Sequence, residues 1–417
     1  MKVRPDRRGP AERSIVPPKS TKKRLRVLVL SWNYPTPAAP QRGLWVERMC
    51  DIISAEADVQ VIVPTPWVPP LVPSLSRFRS VPRRERRGDV DIIFPRVPGS
   101  IEYKTHDLDA RLARPFVRAA ASRLHRENPF DLIHAHFIYP DGVVASRIGR
   151  DLGIPVMTSE HSFWTPWLED RPAVGGQVRA ALPDIALVAP VSGFEEVRLA
   201  DYAGSRIKRM EVLPEPLDDE IFHPDGGPRD PDELLFVGLI RYFKRLDVLL
   251  RALAEVRKHR PNLRLRILSA KALSYAADRR EIDALIDELD LRSALTIVED
   301  NDAAAVAEAM RRCTLVVVSS GAGRETFCSV ASEALACGTP LIVTRCGGPE
   351  EFVGPEDGVM IEADDPAAMT SGILTALERR HEFREAEISA RVVARFGRSA
   401  WRARAMTIYD SLVGAHG

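Results

Sequence analysis

Residues 319–353, SSGAGRETFCSVASEALACGTPLIVTRCGGPEEFV, form the stretch around which the fold of this chain is organised. They follow an apolar run at residues 314–318, and they predict a loop, a helix over residues 328–336 and a buried strand over residues 341–344. The strand ends at a Gly-Gly pair, which predicts a tight turn. A strand, a loop, a helix and a second strand in this order are typical of a parallel sheet with helical crossovers.

The loop before this helix has the composition of an anion-binding loop. Gly321 and Gly323 precede the helix, whose first backbone N–H groups lack partners inside it and carry a partial positive charge. We therefore expect the loop to bind diphosphate oxygens. Glu325 and Glu333 lie about two helical turns apart, and each carboxylate can accept two of the hydroxyl protons that sugar and ribose rings offer. The alternative is an ordinary α/β unit with glutamates on its surface.

The spacing of these two glutamates resembles the E-x7-E motif of glycosyltransferase family 4, whose members are retaining enzymes with the GT-B fold. The family's E-G-F-G run matches Glu325-Thr326-Phe327-Cys328, and its E-A-x-A-x-G-x-P run matches residues 333–340. The resemblance extends from about residue 26 to residue 413. It implies an α/β fold of the GT-B class, in which two Rossmann-like, doubly wound parallel-sheet domains face a central cleft.

Composition and this resemblance together predict four parts of the chain. These are a disordered basic tail at residues 1–25, an N-terminal acceptor-binding domain at 26–215, a C-terminal nucleotide-sugar-binding domain at 216–395, and a helix at 396–417 that crosses back to the first domain. The linker is expected at Pro214-Glu215-Pro216, where the family usually has Pro-Asn-Gly. We interpret this difference as a change in turn chemistry more than in role.

The overall composition fits a soluble globular protein of two domains, with 417 residues, of which 45% are hydrophobic and 28% charged. The sequence contains no run of about 18 apolar residues that would span a membrane and no apolar signal-peptide segment. Its five cysteines form no C-x2-C pair, which favours buried free thiols. We therefore expect a cytoplasmic protein, and contact with the inner face of the membrane is left open.

The net charge of +1 conceals an uneven distribution. Residues 1–200 hold 30 Lys and Arg against 22 Asp and Glu, whereas the remainder of the chain has an acidic excess. The basic half suggests an anionic partner there, but the excess is too dilute for a nucleic-acid-binding module and no such motif is present. We predict no nucleic-acid partner.

Residues 64–87 combine prolines, Trp67 and clustered arginines, among them Arg83, Arg84, Arg86 and Arg87. The density of proline predicts that no regular element forms here. Apolar residues followed by arginines would suit the headgroup layer of an anionic membrane. A solvated flexible loop is the alternative, and it is slightly favoured.

Two histidines follow strands of the first half at positions where a doubly wound sheet binds ligands. His136 ends the run DLIHAH, and His161 ends the run PVMTSEH. The family carries histidines at the corresponding places, so the resemblance implies that His161 contacts the sugar or the acceptor hydroxyl and that His136 lies on the acceptor side. Structural roles are the alternative for both, and His134 is expected to point into the sheet.

Glycines and basic residues mark the remaining positions of the expected donor site. The resemblance places Gly43 in a loop near the donor phosphates, although a simple helix-start glycine is an equal alternative. Gly238 follows the first strand of the second half, and Lys244 matches the family's diphosphate-clamping lysine. Leu239 stands where the family has its clamping arginine, and Arg241 is the candidate to supply the missing charge.

The resemblance implies a metal-independent retaining glycosyltransferase without a cofactor, acting in the synthesis of cell-surface polysaccharide or glycolipid. Its partners would be a nucleotide-diphosphate sugar and a sugar or lipid-linked acceptor. Lys244 would stabilise the leaving diphosphate with the backbone N–H groups at Thr326, Phe327 and Cys328, while Glu325 would bind the sugar and Glu333 the ribose. A sugar-nucleotide epimerase on the same fold and a non-catalytic sugar-nucleotide binder remain as alternatives.

Overall fold

The computed structural model describes residues 24–67, 73–98, 107–162, 170–270, 275–299 and 301–416. Most of the tail expected at residues 1–25 therefore lies outside the described residues. Within the described parts, two largely parallel sheets are connected by helices, as expected for a doubly wound α/β protein.

The first sheet contains seven strands in the order β4-β5-β2-β1-β7-β8-β9, and every neighbouring pair is parallel except β4 with β5. Its strands are mostly short apolar runs, as expected when both faces of a parallel sheet are covered. Their bounds are β1 Leu25–Leu30, β2 Ala57–Ile62, β4 Arg84–Arg87, β5 Val90–Ile93, β7 Leu132–His136, β8 Val156–Glu160 and β9 Leu187–Pro190. A separate two-stranded pair joins β3 Thr65–Pro66 to β6 Arg96–Val97.

The second sheet contains six parallel strands in the order β12-β11-β10-β13-β14-β15. Their bounds are β10 Glu233–Val237, β11 Arg264–Ser269, β12 Leu295–Glu299, β13 Leu315–Val318, β14 Leu341–Thr344 and β15 Gly358–Ile361. The strand order reverses between β10 and β13, and in the first sheet it reverses between β1 and β7. Ligands of doubly wound sheets bind at such reversal points, beyond the carboxyl ends of the strands.

Twelve α-helices occur in the described parts of the chain. They are α1 Leu44–Ser54, α2 Asp109–Glu127, α3 Val143–Leu152, α4 Pro172–Ala181, α5 Gly193–Ala203, α6 Leu246–Arg257, α7 Ala276–Glu288, α8 Ala303–Arg312, α9 Ser329–Ala336, α10 Pro366–Arg379, α11 Glu385–Phe396 and α12 Arg398–Gly414. Each sheet is packed between two clusters of buried apolar side chains, one on each face. None of the described helices is long and apolar enough to cross a bilayer.

The prediction that residues 64–87 form no regular element is wrong. A 3-10 helix spans Pro73–Ser80, and the arginine-rich run Arg84–Arg87 is an antiparallel edge strand against β5. Backbone pairing with β5 stabilises this strand. Two of its arginines form ion pairs, because Arg84 lies 3.3 Å from Asp91 and Arg87 lies 2.6 Å from Glu47. Charged side chains on an edge strand also discourage pairing with another chain.

Residues 210–213 lie beside β9 but do not form a strand. A single bridge joins Met210 to Val188, and the Leu213 N–H bonds to the Pro190 carbonyl at 2.9 Å. Pro214 and Pro216 follow at once and have no N–H to donate, so the ladder cannot continue.

The last helix, α12, lies against the first sheet. Its apolar side chains Trp401, Ile408 and Tyr409 are buried in the same cluster as residues of β1 and β2. The Trp401 Nε1 group donates to the Pro214 carbonyl at 2.6 Å. The end of the chain therefore completes the core of the half in which the chain begins.

Candidate active site

Two loops meet where the strand order of the second sheet reverses. The first follows β10 and carries Lys244, and the second follows β13 and carries Glu325. Hydrogen bonds to backbone carbonyls join them: Ser319 Oγ donates to the Lys244 carbonyl at 2.7 Å, and the Gly321 N–H donates to the Phe243 carbonyl at 2.9 Å. The adjacency of β10 and β13 therefore fixes the two loops against one another.

Lys244 and Glu325 form an ion pair in the cleft, with Nζ and Oε1 2.6 Å apart. Ser320 Oγ donates to the same carboxylate oxygen. Burial by itself lowers the pKa of Lys244, but the Glu325 carboxylate outweighs that effect, and the pKa of the lysine lies above its usual value. The lysine is thus held in its charged form beside a carboxylate.

The loop between Glu325 and α9 approaches other backbone closely. A Cβ at Gly348 would overlap the Thr326 carbonyl, and one at Gly347 would come within 2.5 Å of the Glu325 carbonyl oxygen. The Gly348 N–H donates to that oxygen at 2.8 Å. The Gly-Gly turn therefore supports the loop that carries Glu325, and larger residues would displace it.

The three residues after Glu325 have different environments. Thr326 Oγ1 donates to the His161 carbonyl at 3.0 Å, so this loop touches the first half of the chain. The Phe327 ring is buried and packs edge-on against Phe396. Cys328 precedes α9 with a left-handed φ of 73°, at the place where the family motif has glycine. Their side chains thus face protein, which leaves their backbone N–H groups as the parts suited to a ligand.

Glu333 meets an arginine from the other side of the cleft. Arg48 of α1 lies 3.4 Å from Glu333 and 3.8 Å from Asp218. Burial raises the pKa of Glu333 to about 7, although Arg48 opposes the shift. Arg48 was not singled out from the sequence, because local patterns carry no signal for an ion pair between distant segments.

The histidines form a buried array at the end of β7 and β8. His136 Nδ1 lies 3.1 Å from His161 Nε2, and the two rings are stacked. His134 points away from the cleft, with Nδ1 2.7 Å from the Tyr409 hydroxyl and Nε2 2.8 Å from Ser159 Oγ. Burial lowers the pKa of His134 to about 3 and that of His136 well below its usual value, so both rings are neutral.

Glu215 also reaches this array, which the interpretation of the linker as a turn had missed. Its Oε1 lies 3.4 Å from His161 Nδ1, and Ser329 Oγ at the start of α9 donates to its Oε2. Burial alone would raise the pKa of Glu215, but His161 and Ser329 outweigh it, and the pKa lies below its usual value. The sequence did contain one signal for this contact, because Glu215 stands where the family motif usually has asparagine.

The other expected donor-site residues are divided between the cleft and its surroundings. Gly43 has a φ of 66° at the start of α1, and a Cβ there would overlap the Asn33 carbonyl, so only glycine fits. Gly238 packs beside the Lys244 side chain. Arg241 lies with its guanidinium 3.4 Å from the centre of the Tyr275 ring. That stacking holds Arg241 on an aromatic face.

In the part of the chain that the structure describes, no three His, Cys, Asp or Glu residues are grouped to hold a metal ion. Asp302 caps α8 by accepting from the Ala305 N–H at 2.8 Å. Asp300, in the same loop between β12 and α8, lies outside the described residues.

The arrangement combines a charged lysine, a carboxylate and free helix N–H groups around one point. The lysine and the N–H groups can neutralise anionic oxygens, and the carboxylate can accept from hydroxyls. An anionic, polyhydroxylated ligand would satisfy all three.

Two family models match the chain. Residues 84–221 match the model described as Glycosyltransferase Family 4, and residues 218–391 match the model described as Glycosyl transferases group 1. The boundary between the matches coincides with the segment between the two sheets.

Similar proteins occur among named relatives and solved structures. A D-inositol 3-phosphate glycosyltransferase of Stackebrandtia nassauensis is 30% identical over 314 residues, which cover 69% of this chain and 68% of that protein. A homologue of the same name from Frankia alni is 29% identical and covers 69% of this chain and 75% of its own length.

Among solved structures, a sucrose-phosphate synthase of Thermosynechococcus elongatus aligns with a TM-score of 0.76 at 21% identity over 94% of this chain and 100% of its own. Anabaena HepE in complex with UDP-glucose aligns with a TM-score of 0.70 at 18% identity over 93% of this chain and 100% of its own. These neighbours are GT-B glycosyltransferases, and the likeness confirms the GT-B fold.

Proposed function

The chain belongs to glycosyltransferase family 4, and on that premise we propose that it is a retaining enzyme that transfers a sugar from a nucleotide-diphosphate sugar to an acceptor hydroxyl. The observation that carries the proposal is the contact between Lys244 and Glu325 at the reversal point of the second sheet. The complexes of HepE with UDP and UDP-glucose support a uridine donor as the first to test.

In this reaction the bond between the anomeric carbon and the diphosphate breaks, and a bond from that carbon to the acceptor oxygen forms on the same face. The acceptor proton passes to the leaving diphosphate. Lys244 and the N–H groups at the start of α9 stabilise the negative charge that develops on the diphosphate, which is commonly the largest catalytic effect. Glu325 binds sugar hydroxyls and stabilises the positive charge on the sugar ring.

The remaining residues bind the two ends of the donor and the acceptor. Glu333 accepts hydrogen bonds from the ribose hydroxyls once its ion pair with Arg48 has opened. Gly43 and Gly238 let the backbone approach the phosphates. His161, held by Glu215, faces the sugar or the acceptor hydroxyl, and His136 supports it from the acceptor side. Arg241, stacked on Tyr275, is assigned to the rim of the donor site.

The acceptor is a hydroxyl of a sugar or a lipid-linked sugar, and the names of the relatives make an inositol phosphate the first soluble acceptor to try. Transfer of labelled sugar from UDP-glucose and other sugar nucleotides should continue in chelator. Retention is checked by the anomeric coupling in the NMR spectrum of the product. Loss of transfer in chelator would contradict metal independence, and an inverted product would contradict retention.

Two variants separate the roles of the central pair. Lys244→Ala should lower kcat by about 10²- to 10³-fold and weaken nucleoside diphosphate, because the phosphate charge is present in product and transition state alike. Glu325→Gln should lower kcat while leaving the affinity for free nucleoside diphosphate within a few-fold. Arg241→Ala is the matched control for loss of a nearby cation and should have the smaller effect on kcat.

Calorimetric titration with the diphosphate, beside initial rates, distinguishes the alternatives. Equal loss of diphosphate affinity in Lys244→Ala and Glu325→Gln would mean that Glu325 supports the loop without contacting the sugar. An epimerase would convert the sugar nucleotide without any acceptor. A non-catalytic binder would bind the diphosphate and transfer nothing.

A further inference from the structure

The outer face of α2 carries a line of exposed apolar side chains. Leu108, Leu112 and Phe116 are 48%, 37% and 44% exposed, values that are high for large apolar residues. They are spaced four residues apart, so they lie along one side of the helix. Together they form an apolar ridge on the exposed side of the helix. Buried apolar side chains such as Val117 lie on the opposite side and pack in the core.

Arginines accompany this ridge. Arg111, Arg114 and Arg118 lie at helical spacing beside it, and all three are exposed. Arg118 pairs with Asp151 at 2.8 Å. Among the described residues, Arg111 and Arg114 have no acidic group within salt-bridge distance. The helix thus presents two positive charges beside an apolar surface, and neither is paired within the described ranges of the chain.

A cavity of about 390 Å³ opens beside the same helix, between α2, α3 and α4. Arg111, Arg114 and Arg147 contribute to its lining, together with Gln177. Arg147 is already paired with Asp184 at 3.1 Å. The guanidinium groups of Arg111 and Arg114 therefore border both the ridge and the recess.

We propose that the ridge and arginines of α2, the α2 face, dock this protein on an anionic lipid bilayer. The ridge enters the boundary between headgroups and acyl chains, and Arg111 and Arg114 bind lipid phosphates. A second copy of this chain, packed through the same face, fits less well, because the acidic groups near the ridge are poorly placed for the arginines. Asp109 is buried, Glu127 lies at the far end of α2, and Asp107 before the helix is paired with Arg171 at 3.4 Å. Charge complementarity thus selects the lipid surface.

The position of the α2 face has a consequence for access to the active site. The side chain of Tyr139 contacts the backbone at Ala110, in the first turn of α2. Tyr139 belongs to the turn that follows His136 at the end of β7. Docking through α2 therefore brings the acceptor side of the cleft close to the membrane, where a lipid-linked acceptor would be found.

The α2 face replaces residues 83–87 as the expected membrane contact. Exposed Arg84 and Arg86 each have an acidic partner, Asp91 at 3.3 Å and Asp89 at 3.6 Å, so part of their charge is compensated within the protein.

Co-sedimentation with vesicles tests the proposal. The full chain should pellet with vesicles containing about one-third phosphatidylglycerol and far less with pure phosphatidylcholine, and added salt should weaken binding. Arg111→Ser with Arg114→Ser should reduce the partition coefficient by roughly 25-fold, about fivefold for each charge. Leu112→Ser with Phe116→Ser should reduce it at least about tenfold on both kinds of vesicle.

Matched variants control for charge and for apolar surface. Arg84→Ser with Arg86→Ser removes two exposed arginines elsewhere, and Val197→Ser removes a 62%-exposed apolar side chain from α5. Both should bind vesicles like the unmodified chain. All variants should keep their melting temperature and their transfer to a soluble acceptor, because the substituted residues lie outside the donor site.

Two outcomes would overturn the proposal. In one, the α2 variants and the unmodified chain pellet equally, or neither binds anionic vesicles at low salt. In the other, sedimentation velocity shows a dimer that Leu112→Ser with Phe116→Ser converts to a monomer, which would identify a second copy of the chain as the occupant of the α2 face.

Discussion

At the scale of single residues, the cleft contains a carboxyl group whose burial opposes its ionisation. Burial raises the pKa of Glu333 to about 7, so near neutral pH this carboxyl group is protonated in a large fraction of the molecules. The ionised form is the better acceptor for a ribose diol. We expect the affinity for nucleoside diphosphate to increase between about pH 6 and about pH 8, a unit on either side of that value. Calorimetric titration over this range measures it.

Glu333→Gln is the control for this pH dependence. The variant should bind the diphosphate more weakly at the upper end of the range, with a flatter pH profile. Because the folded pKa of Glu333 lies above the unfolded value, the folded state binds the proton more tightly, and its free energy of unfolding falls as pH rises from about 4.5 to about 7. The variant should therefore melt higher than the unmodified chain above pH 7. An unchanged profile would mean that another group titrates.

Glu215 is the second residue for which we expect an effect on activity. It is held ionised beside His161 Nδ1 and so favours the tautomer that carries its proton on that nitrogen. Glu215→Met should lower kcat at least roughly tenfold with little change in the KM of the donor, because it leaves the imidazole without its orienting partner. Glu215→Gln retains an acceptor oxygen and should recover part of the rate.

NMR of ¹⁵N-labelled imidazole distinguishes positioning from a structural role. The methionine variant should lose the single tautomer of His161, and the glutamine variant should keep it. Glu211→Gln, in the same segment and bonded to Arg209, is the matched control and should change neither the rate nor the spectrum. A lower melting temperature in Glu215→Met with an unchanged tautomer would assign Glu215 to the fold alone.

At the scale of elements, α9 begins from a strained residue. Cys328 has a φ of 73°, a conformation that costs an L-residue roughly 1–2 kcal/mol and costs glycine little. Cys328→Gly should therefore be more stable than Cys328→Ala by about 1 kcal/mol, the reverse of the usual helical preference for alanine. Thermal or urea unfolding of both variants measures the difference.

Ala331, inside the same helix, is the control. Ala331→Gly should cost at least about 1 kcal/mol, because ordinary helical geometry favours alanine and the buried methyl group of Ala331 is lost as well. Equal stability of the two Cys328 variants would show that neighbouring contacts, and not the backbone angle, determine the stability at this position.

Apolar runs made most strands predictable. The run at residues 314–318 contains the buried strand Leu315–Val318, and the run at 341–344 is a buried strand, because two covered faces require continuous apolar sequence. The arginines of β4 gave no such signal, since that edge strand forms through backbone pairing with β5. Composition therefore predicts the centre of a sheet better than its edge.

The candidate site was partly predictable, because some of its residues lie next to these predictable strands. Glu325 and Lys244 lie beside strand ends, where a doubly wound sheet places ligand contacts, and the structure brings them together. Arg48 and Glu215 reach the cleft from a helix and a linker of the other half. Their positions depend on how the two halves meet, which a local pattern does not contain.

At the scale of the whole molecule, the last helix supports the histidine array. The Tyr409 hydroxyl of α12 lies 2.7 Å from His134 Nδ1, and both groups are buried. Tyr409→Phe should leave that ring nitrogen without a partner and lower the free energy of unfolding by about 1–3 kcal/mol. Tyr242→Phe, at a 63%-exposed tyrosine, is the control and should have almost no effect on unfolding. A Tyr409→Phe variant as stable as the control would contradict a supporting role for α12.

The polypeptide passes between the two sheets twice, and the two passages lie side by side. The Leu217 N–H donates to the Phe396 carbonyl at 2.8 Å, and Leu217 forms a bridge with Gly397. The half that contains the second sheet is thus inserted into the half that contains the first sheet, with its entry and exit at a single place. A chimaera that exchanges donor specificity needs two junctions, both at this point, and it leaves the core around α12 untouched.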